Sequence, residues 1–301
     1  MPQPHPERAM LFMAIATLTL PGIDTIAKFL AGSIEAGQVT WARFVFQTLL
    51  LLPFLWRLPP AVRSPKLWVH AVRGTLLAVA TLCFFGALKF MPIADTISIF
   101  FVEPLLLTLL SAWFLKEQVG WRRISAVGVG LAGSALVIQP QFATLGTTAL
   151  LPLAAAACFS VYLLLTRKYS AHDDPITMQF FAGVFGCVGM SIALLIGDPL
   201  GIEPLAIEWP TAMEWSLLFL LGVIATAGHL LMVSAFGLAD ASLLAPFQYL
   251  ELVSATILGY WLFSDFPDVS TWLGVAIIVS SGLYVFHRER VLGLKQADIP
   301  A

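Results

Sequence analysis

Charge is what this sequence has least of. Asp, Glu, Lys and Arg together make up 11% of the 301 residues, against about 25% in soluble domains, and the mean hydropathy is +0.88. An ordinary soluble fold is excluded. The charges that remain nearly balance, at a formal −2, which excludes the basic field that nucleic-acid binding requires. Cysteine is also scarce. Cys83, Cys158 and Cys187 lie singly in apolar runs, so neither a disulfide framework nor zinc-ligand spacing can be built from them. Enzyme signatures are missing too. There is no H-E-x-x-H, no G-x-S-x-G and no phosphate-binding G-x-x-x-x-G-K-S/T, so no catalytic residue, cofactor or metal is expected. His172-Asp173-Asp174 comes nearest to a metal cluster, but three consecutive residues on a regular element cannot all face one ion. A solvated turn before Pro175 is the expected role.

Long apolar runs, by contrast, fill the chain. A helix needs about 20 apolar residues to cross roughly 30 Å of hydrocarbon. Ten such runs occur, at roughly 9–31, 38–56, 68–88, 94–115, 121–138, 147–166, 176–196, 214–236, 241–263 and 270–287. Lipid offers no partner to an unpaired backbone group, and the alternating segments of membrane barrels are absent, so the runs are predicted to be helices. The first has one basic residue, Arg8, before it and is too long for a signal-peptide core. Two connections are longer: 57–67, with Pro59, Pro60 and Pro65 among basic residues, and 197–213, with Pro199, Pro204 and Pro210 among acidic ones. Orientation follows from Lys and Arg in the connections. With the N-terminus inside, twelve lie on the inner side and one, Lys89, outside. Both termini are therefore expected in the cytoplasm and the chain in an inner, plasma-type membrane, with the lipid bilayer as its surroundings. The tryptophans fall at run ends, Trp56, Trp68, Trp113 and Trp121 inside and Trp41, Trp209, Trp215, Trp261 and Trp272 outside. They read as two interfacial belts.

The chain also repeats itself. Glu103 is followed by Trp113 and Glu117, and Glu251 by Trp261 and Asp265, at the same spacings. Phe101 and Tyr249 stand two residues before each glutamate, and Ala87 through Glu117 matches Ala235 through Asp265 at one offset. The halves are thus 1–145 and 146–301, five runs each. Five is odd, so the second copy enters the membrane from the opposite face. The expected fold is all-α and integral to the membrane: ten transmembrane helices as two inverted five-helix repeats around a central cavity, an arrangement found in secondary transporters.

A carboxylate at bilayer depth costs roughly 2.5–3.5 kcal/mol on insertion scales, so Glu103 and Glu251 need a partner or a task. Each is either a neutral acid bonded to a neighbouring helix or a group that carries protons or bonds substrate. Pro104 crowds the carbonyl of Phe100, so a kink or a freed acceptor is expected there. Asp24 and Lys28 lie four apart on one face, placed to pair with each other or to bind the two ends of a zwitterion. Arg43 shares a face with Thr40 and Gln47 and either finds Asp24 or Glu35 or faces a polar cavity. Arg73, near an inner end, is expected to snorkel. Tyr162, Gln179, His229 and Gln248 complete a polar set distributed over the runs. Together with Phe101 and Tyr249 they suggest a cavity lined by the first four runs and the sixth to ninth. The fifth and tenth runs carry no mid-membrane charge but repeat small residues, Ala126, Gly130 and Ser134 and then Gly274, Ser281 and Gly282. These read as buttressing or as a homo-oligomer contact.

Glu103-Pro104 followed by Lys116-Glu117, and the run Ala245-Pro246-Phe247-Gln248-Tyr249-Leu250-Glu251, resemble the drug/metabolite transporter superfamily, specifically its EamA-like exporters. Asp265 followed by Phe266-Pro267 departs from the pattern of that family. The resemblance implies export of amino acids or related small metabolites by alternating access. Carriers of S-adenosylmethionine, riboflavin, nucleotide sugars and drugs are further family members. A channel-like facilitator is the alternative from a different class, and an enzyme is not expected.

Overall fold

Every regular element among the described residues is helical, as a chain this apolar requires. The computed structural model describes residues 6–55, 66–114, 121–169, 174–239, 244 and 247–297. In chain order the helices are α1 (Pro6–Thr19), α2 (Pro21–Leu30), α3 (Ala36–Leu55), α4 (Leu67–Leu88), α5 (Ile93–Phe100), α6 (Glu103–Phe114), α7 (Trp121–Leu145), α8 (Leu151–Tyr169), α9 (Pro175–Gly197), α10 (Ala212–Leu238), α11 (Leu250–Phe263) and α12 (Val269–Ala297). A 3-10 turn, Gly146–Leu150, joins α7 to α8. Six stretches are long and apolar enough to cross a bilayer: Glu7–Leu30, Leu67–Leu88, Ile93–Leu110, Ile124–Thr166, Pro175–Gly197 and Ala212–Leu238. Leu250–Phe263 and Val269–Tyr284 are shorter apolar helices. Their outward faces are apolar: Leu195, Ile196, Ile257 and Leu273 are all exposed, as lipid contact allows.

Proline breaks two of the long stretches, each at a place that matters. Pro21 has no N–H and separates α1 from α2. Beside the break Ser254 Oγ donates to Leu18 O at 2.8 Å, and Thr17 Oγ1 donates outward to Phe247 O at 3.1 Å. At Pro104 the expected kink is a full break. Helix α5 ends at Phe100, Phe101-Val102 form a turn, and α6 restarts at Glu103. Pro104 thereby falls in a first turn, where a missing N–H costs nothing. Ser160 Oγ of α8 donates to Glu103 O at 3.1 Å and pins the break. A third interruption precedes α11; Ala245-Pro246 lie outside the described residues.

Polar contacts sort the helix termini into two ends. Lys89 Nζ donates to Glu35 Oε1 at 2.8 Å and Glu203 Oε1 at 3.0 Å, joining the end of α4 to the start of α3 and to the α9–α10 connection. Lys28 Nζ donates to Asp265 Oδ2 at 2.6 Å and Met91 O at 2.9 Å. The other end has Lys66 over the Tyr169 ring at 5.0 Å, and there Asp174 caps α9 by accepting from the Ile176 and Thr177 N–H groups. These are the Lys89 end and the Tyr169 end below. Asp174 thus has a capping role, and among the described residues no cluster of metal-ligating side chains exists. His172, Asp173, Trp56, Lys116, Glu117 and the prolines of 57–65 lie outside them.

Helices α7 and α12 use their small residues on each other. A Cβ on Gly133 would stand 2.8 Å from Ile277, so close approach requires glycine there. Ser281 Oγ donates to Ala126 O across the pair. One sequence expectation fails: Arg73 does not snorkel; it is 0% exposed. Trp41 is half-buried and its Nε1–H donates to Ser191 Oγ at 2.9 Å, whereas Trp68, Trp113, Trp121, Trp209 and Trp261 are largely exposed.

Candidate functional site

The broken segments and their neighbours enclose a cavity with about 100 Å³ of room. One face of each contributing helix supplies the wall. From α2 come Ile23 and Asp24; from α4 come Leu77, Ala80, Thr81, Phe84 and Phe85, at helical i, i+3, i+4, i+7 and i+8 spacing. The α5–α6 break presents Phe100, Phe101, Glu103 and Pro104. Arg43 of α3, Phe159 of α8 and His229 and Met232 of α10 enter from the sides, and Gln248 and Glu251 close the wall. The break is what allows Phe101 and Glu103 to share the site, since an unbroken helix turns neighbouring residues about 100° apart.

One guanidinium and three carboxyl groups therefore border one small volume. Arg43 is 4% exposed and is held by neutral groups. Its Nη1 donates to Thr81 Oγ1, its Nη2 lies 3.3 Å from His229 Nε2, and its guanidinium stands 5.0 Å over the Phe44 ring. His229 Nδ1 is 3.0 Å from Ala225 O, an acceptor, so the proton sits on Nδ1 and Nε2 is left to accept from Arg43. Arg43 Nε and Glu103 Oε1 are buried without partners. An unpartnered donor and an unpartnered oxygen thus belong to two residues of one cavity lining, which leaves hydrogen-bonding capacity there for a ligand or water. Arg43 pairs with neither expected carboxylate at contact distance, and Glu35 is taken by Lys89.

The remaining sequence candidates divide. Phe101 and Tyr249, the repeat-matched aromatics, meet each other, ring centroids 5.4 Å apart. Asp24, Arg43, Phe101, Glu103, His229, Gln248 and Glu251 all line the cavity. Lys28 does not: it turns from Asp24 to Asp265, so the expected pair on one helix face is not formed. Tyr162 and Gln179 also lie outside the lining, and the seventh run contributes nothing to it. They belong to a second buried polar cluster. Gln47 Nε2 donates to Gln179 O at 2.8 Å, Gln179 Nε2 reaches Tyr162 Oη at 3.5 Å, and the Tyr162 ring lies 5.1 Å beneath Arg73. Sequence reading missed Thr81, Phe84, Phe100 and Phe159. The signal was the spacing of Leu77, Thr81 and Phe84, which puts the lone polar group of that segment on an aromatic face.

Comparison with known proteins identifies the family of the chain. The sequence model of the EamA-like transporter family matches residues 7–139 and again 146–286. The S-adenosylmethionine uptake transporter of Rickettsia bellii is 29% identical over 270 residues, 89% of each chain. The riboflavin transporter of Vibrio cholerae is 27% identical over 98% of each, and the pseudopaline exporter of Pseudomonas aeruginosa is 23% identical over 91% of this chain and 94% of its own. A crystal structure 22% identical, covering 94% of this chain and 98% of its own, superposes with a TM-score of 0.64 and shares the fold. Both halves of the apolar chain thus match one family of membrane transporters rather than enzymes, and the chain belongs to the EamA-like transporter family.

Proposed function

We propose that this transporter carries a zwitterionic metabolite built on an amino acid, with additional positive charge and a flat ring, and that S-adenosylmethionine is its substrate. The observation that carries the reading is the cavity itself. Arg43 suits a single carboxylate, Asp24, Glu103 and Glu251 suit cationic groups, and Phe84, Phe100, Phe101 and Phe159 suit a cation or a flat ring. A relative bearing the name of an S-adenosylmethionine transporter matches 89% of the chain. Export of free amino acids is the second reading, favoured by the same pairing of Arg43 with acids across one site.

The mechanism we infer is alternating access between two inverted five-helix halves, 1–145 and 146–301, ten spans in all, with both termini in the cytoplasm and the Tyr169 end inside. Support comes from the double match to one family model, from the contact between Phe101 and Tyr249, and from Glu103 and Glu251 bordering one cavity. The room present, about 100 Å³, is below the roughly 300–1,000 Å³ of sites for drug-sized ligands. Loading therefore requires the halves to part. An inner-membrane location follows from the excess of Lys and Arg in the connections assigned to the inside. A homo-oligomer through α7 and α12 would have to use their outer faces, where Val129 and Leu273 are exposed.

The test is counterflow in proteoliposomes loaded with unlabelled S-adenosylmethionine. Labelled S-adenosylmethionine should accumulate saturably and transiently. Flux no faster than in empty liposomes, for it and for each amino acid, sinks the substrate claim; unitary currents would replace the carrier with a channel.

A further inference from the structure

We propose that Arg73 is a second anion-binding station on the transport path, which takes the substrate carboxylate after it leaves Arg43. The inference rests on the transport reading above. Helix α4 lines the cavity with Leu77, Thr81 and Phe84, and Arg73 stands one turn further along that face, toward the Tyr169 end. Its side chain is fully buried and surrounded by neutral groups. Nε donates to Thr166 Oγ1 at 2.9 Å and Nη1 lies 3.2 Å from His70 Nδ1. Nη2 has no partner, and among the described residues no carboxylate forms an ion pair with it. A cation in apolar surroundings is ordinarily paired, hydrated or bound to ligand. This one is pre-arranged for an anion that is not part of the resting protein.

A continuous set of rings runs from Phe84 in the cavity wall to Arg73. Phe84 meets Phe100 at 5.3 Å between centroids, Phe100 meets Phe159 at 5.4 Å, and Phe159 meets Tyr162 at 5.4 Å. Tyr162 then lies beneath the Arg73 guanidinium. A flat group can move along these rings while the carboxylate exchanges one guanidinium for the next, so the anion is not left bare at bilayer depth. Helix α4 also packs tightly on α9 here: a Cβ on the adjacent Gly74 would stand 2.7 Å from Phe185. The station is filled only as the halves move.

The experiment compares initial rates for S-adenosylmethionine and its decarboxylated analogue in proteoliposomes, with equilibrium binding measured in detergent. Arg73→Gln should slow S-adenosylmethionine at least tenfold, leave the decarboxylated compound within twofold of wild type, and leave S-adenosylmethionine binding within twofold. Arg73→Lys, which keeps the charge, should keep the preference for the carboxylate. Equal losses for both compounds in Arg73→Gln overturn the station and make Arg73 a packing residue. If that variant does not fold, Arg73→Lys decides by the same division, equal losses again overturning the proposal. If the wild type does not carry the analogue, the decision is rate against binding: an S-adenosylmethionine rate lost in Arg73→Gln but kept in Arg73→Lys, at unchanged binding, supports the station, and parallel loss overturns it. A wild type that moves neither compound brings down the transport reading itself, an outcome distinct from failure of the variants alone.

Discussion

At the scale of single residues, the cavity is a problem of unbalanced charge solved by neutral donors and acceptors. Arg43 is held by Thr81, His229 and the Phe44 ring, which leaves its positive charge available to a substrate instead of cancelling it. Arg43→Gln removes that charge and is expected to raise KM for a carboxylate-bearing substrate at least tenfold while changing binding of a decarboxylated analogue little; transport and binding in parallel check it. Glu103 and Glu251 face the same volume, and the prediction is that they couple transport to protons. Glu103→Gln and Glu251→Gln should each abolish acceleration by an imposed pH gradient and spare equilibrative exchange. A wild type indifferent to the gradient would make both carboxyl groups structural and the protein a facilitator.

At the scale of elements, the breaks and caps place the site. The α5–α6 break turns Phe101 and Glu103 toward one cavity, and Ser160 holds it from α8. The start of α12 is fixed by Asp268, whose Oδ1 accepts from Thr271 N at 2.7 Å and Ser270 Oγ at 2.8 Å. Asp268→Ala should destabilise the protein by about 1 kcal/mol, the usual worth of an N-cap, measured as the melting midpoint in detergent. The Thr271 backbone N–H, above all, holds the Asp268 carboxyl below its ordinary value of 3.8. A group with a lowered folded-state value stabilises above the ordinary value and loses that contribution as pH falls through the lowered one. The wild-type advantage over Asp268→Ala should therefore be constant at neutral pH and vanish only in strong acid.

At the scale of the whole molecule, one ion pair joins the two ends of the sequence. Lys28 and Asp265 are separated by 237 positions yet meet at 2.6 Å, with Lys28 also bound to Met91 O. With Lys89, Glu35 and Glu203 the pair closes the Lys89 end of the bundle. In the alternating-access cycle proposed above, opening that end would separate the pair. Lys28→Asp and Asp265→Lys are each expected to lower the counterflow rate at least fivefold, and the exchanged double variant to recover at least half of the wild-type rate. Single variants without effect would remove the pair from the transport cycle.

Hydropathy is a sum over neighbours in the chain, and so the helical membrane class, the places where helices run and the matched Phe101 and Tyr249 are all legible in the sequence by itself. Proline chemistry is equally local, and it marks the break at Pro104. Which polar side chains converge is a different matter, decided only by the tertiary structure. Asp24 and Lys28 share a face in sequence, but Lys28 turns to a residue 237 positions away. Arg73 has the sequence position of an interfacial anchor and is sealed in the interior; Tyr162 lies beneath it, and Gln179 reaches Tyr162 instead of the cavity. Apart from Phe84, set three residues after Thr81, the aromatic wall leaves no mark in the sequence, because a phenylalanine in an apolar run suits lipid and cavity equally. The rotation of each helix against its neighbours decides that choice, and rotation is set by packing between segments that sequence spacing does not connect.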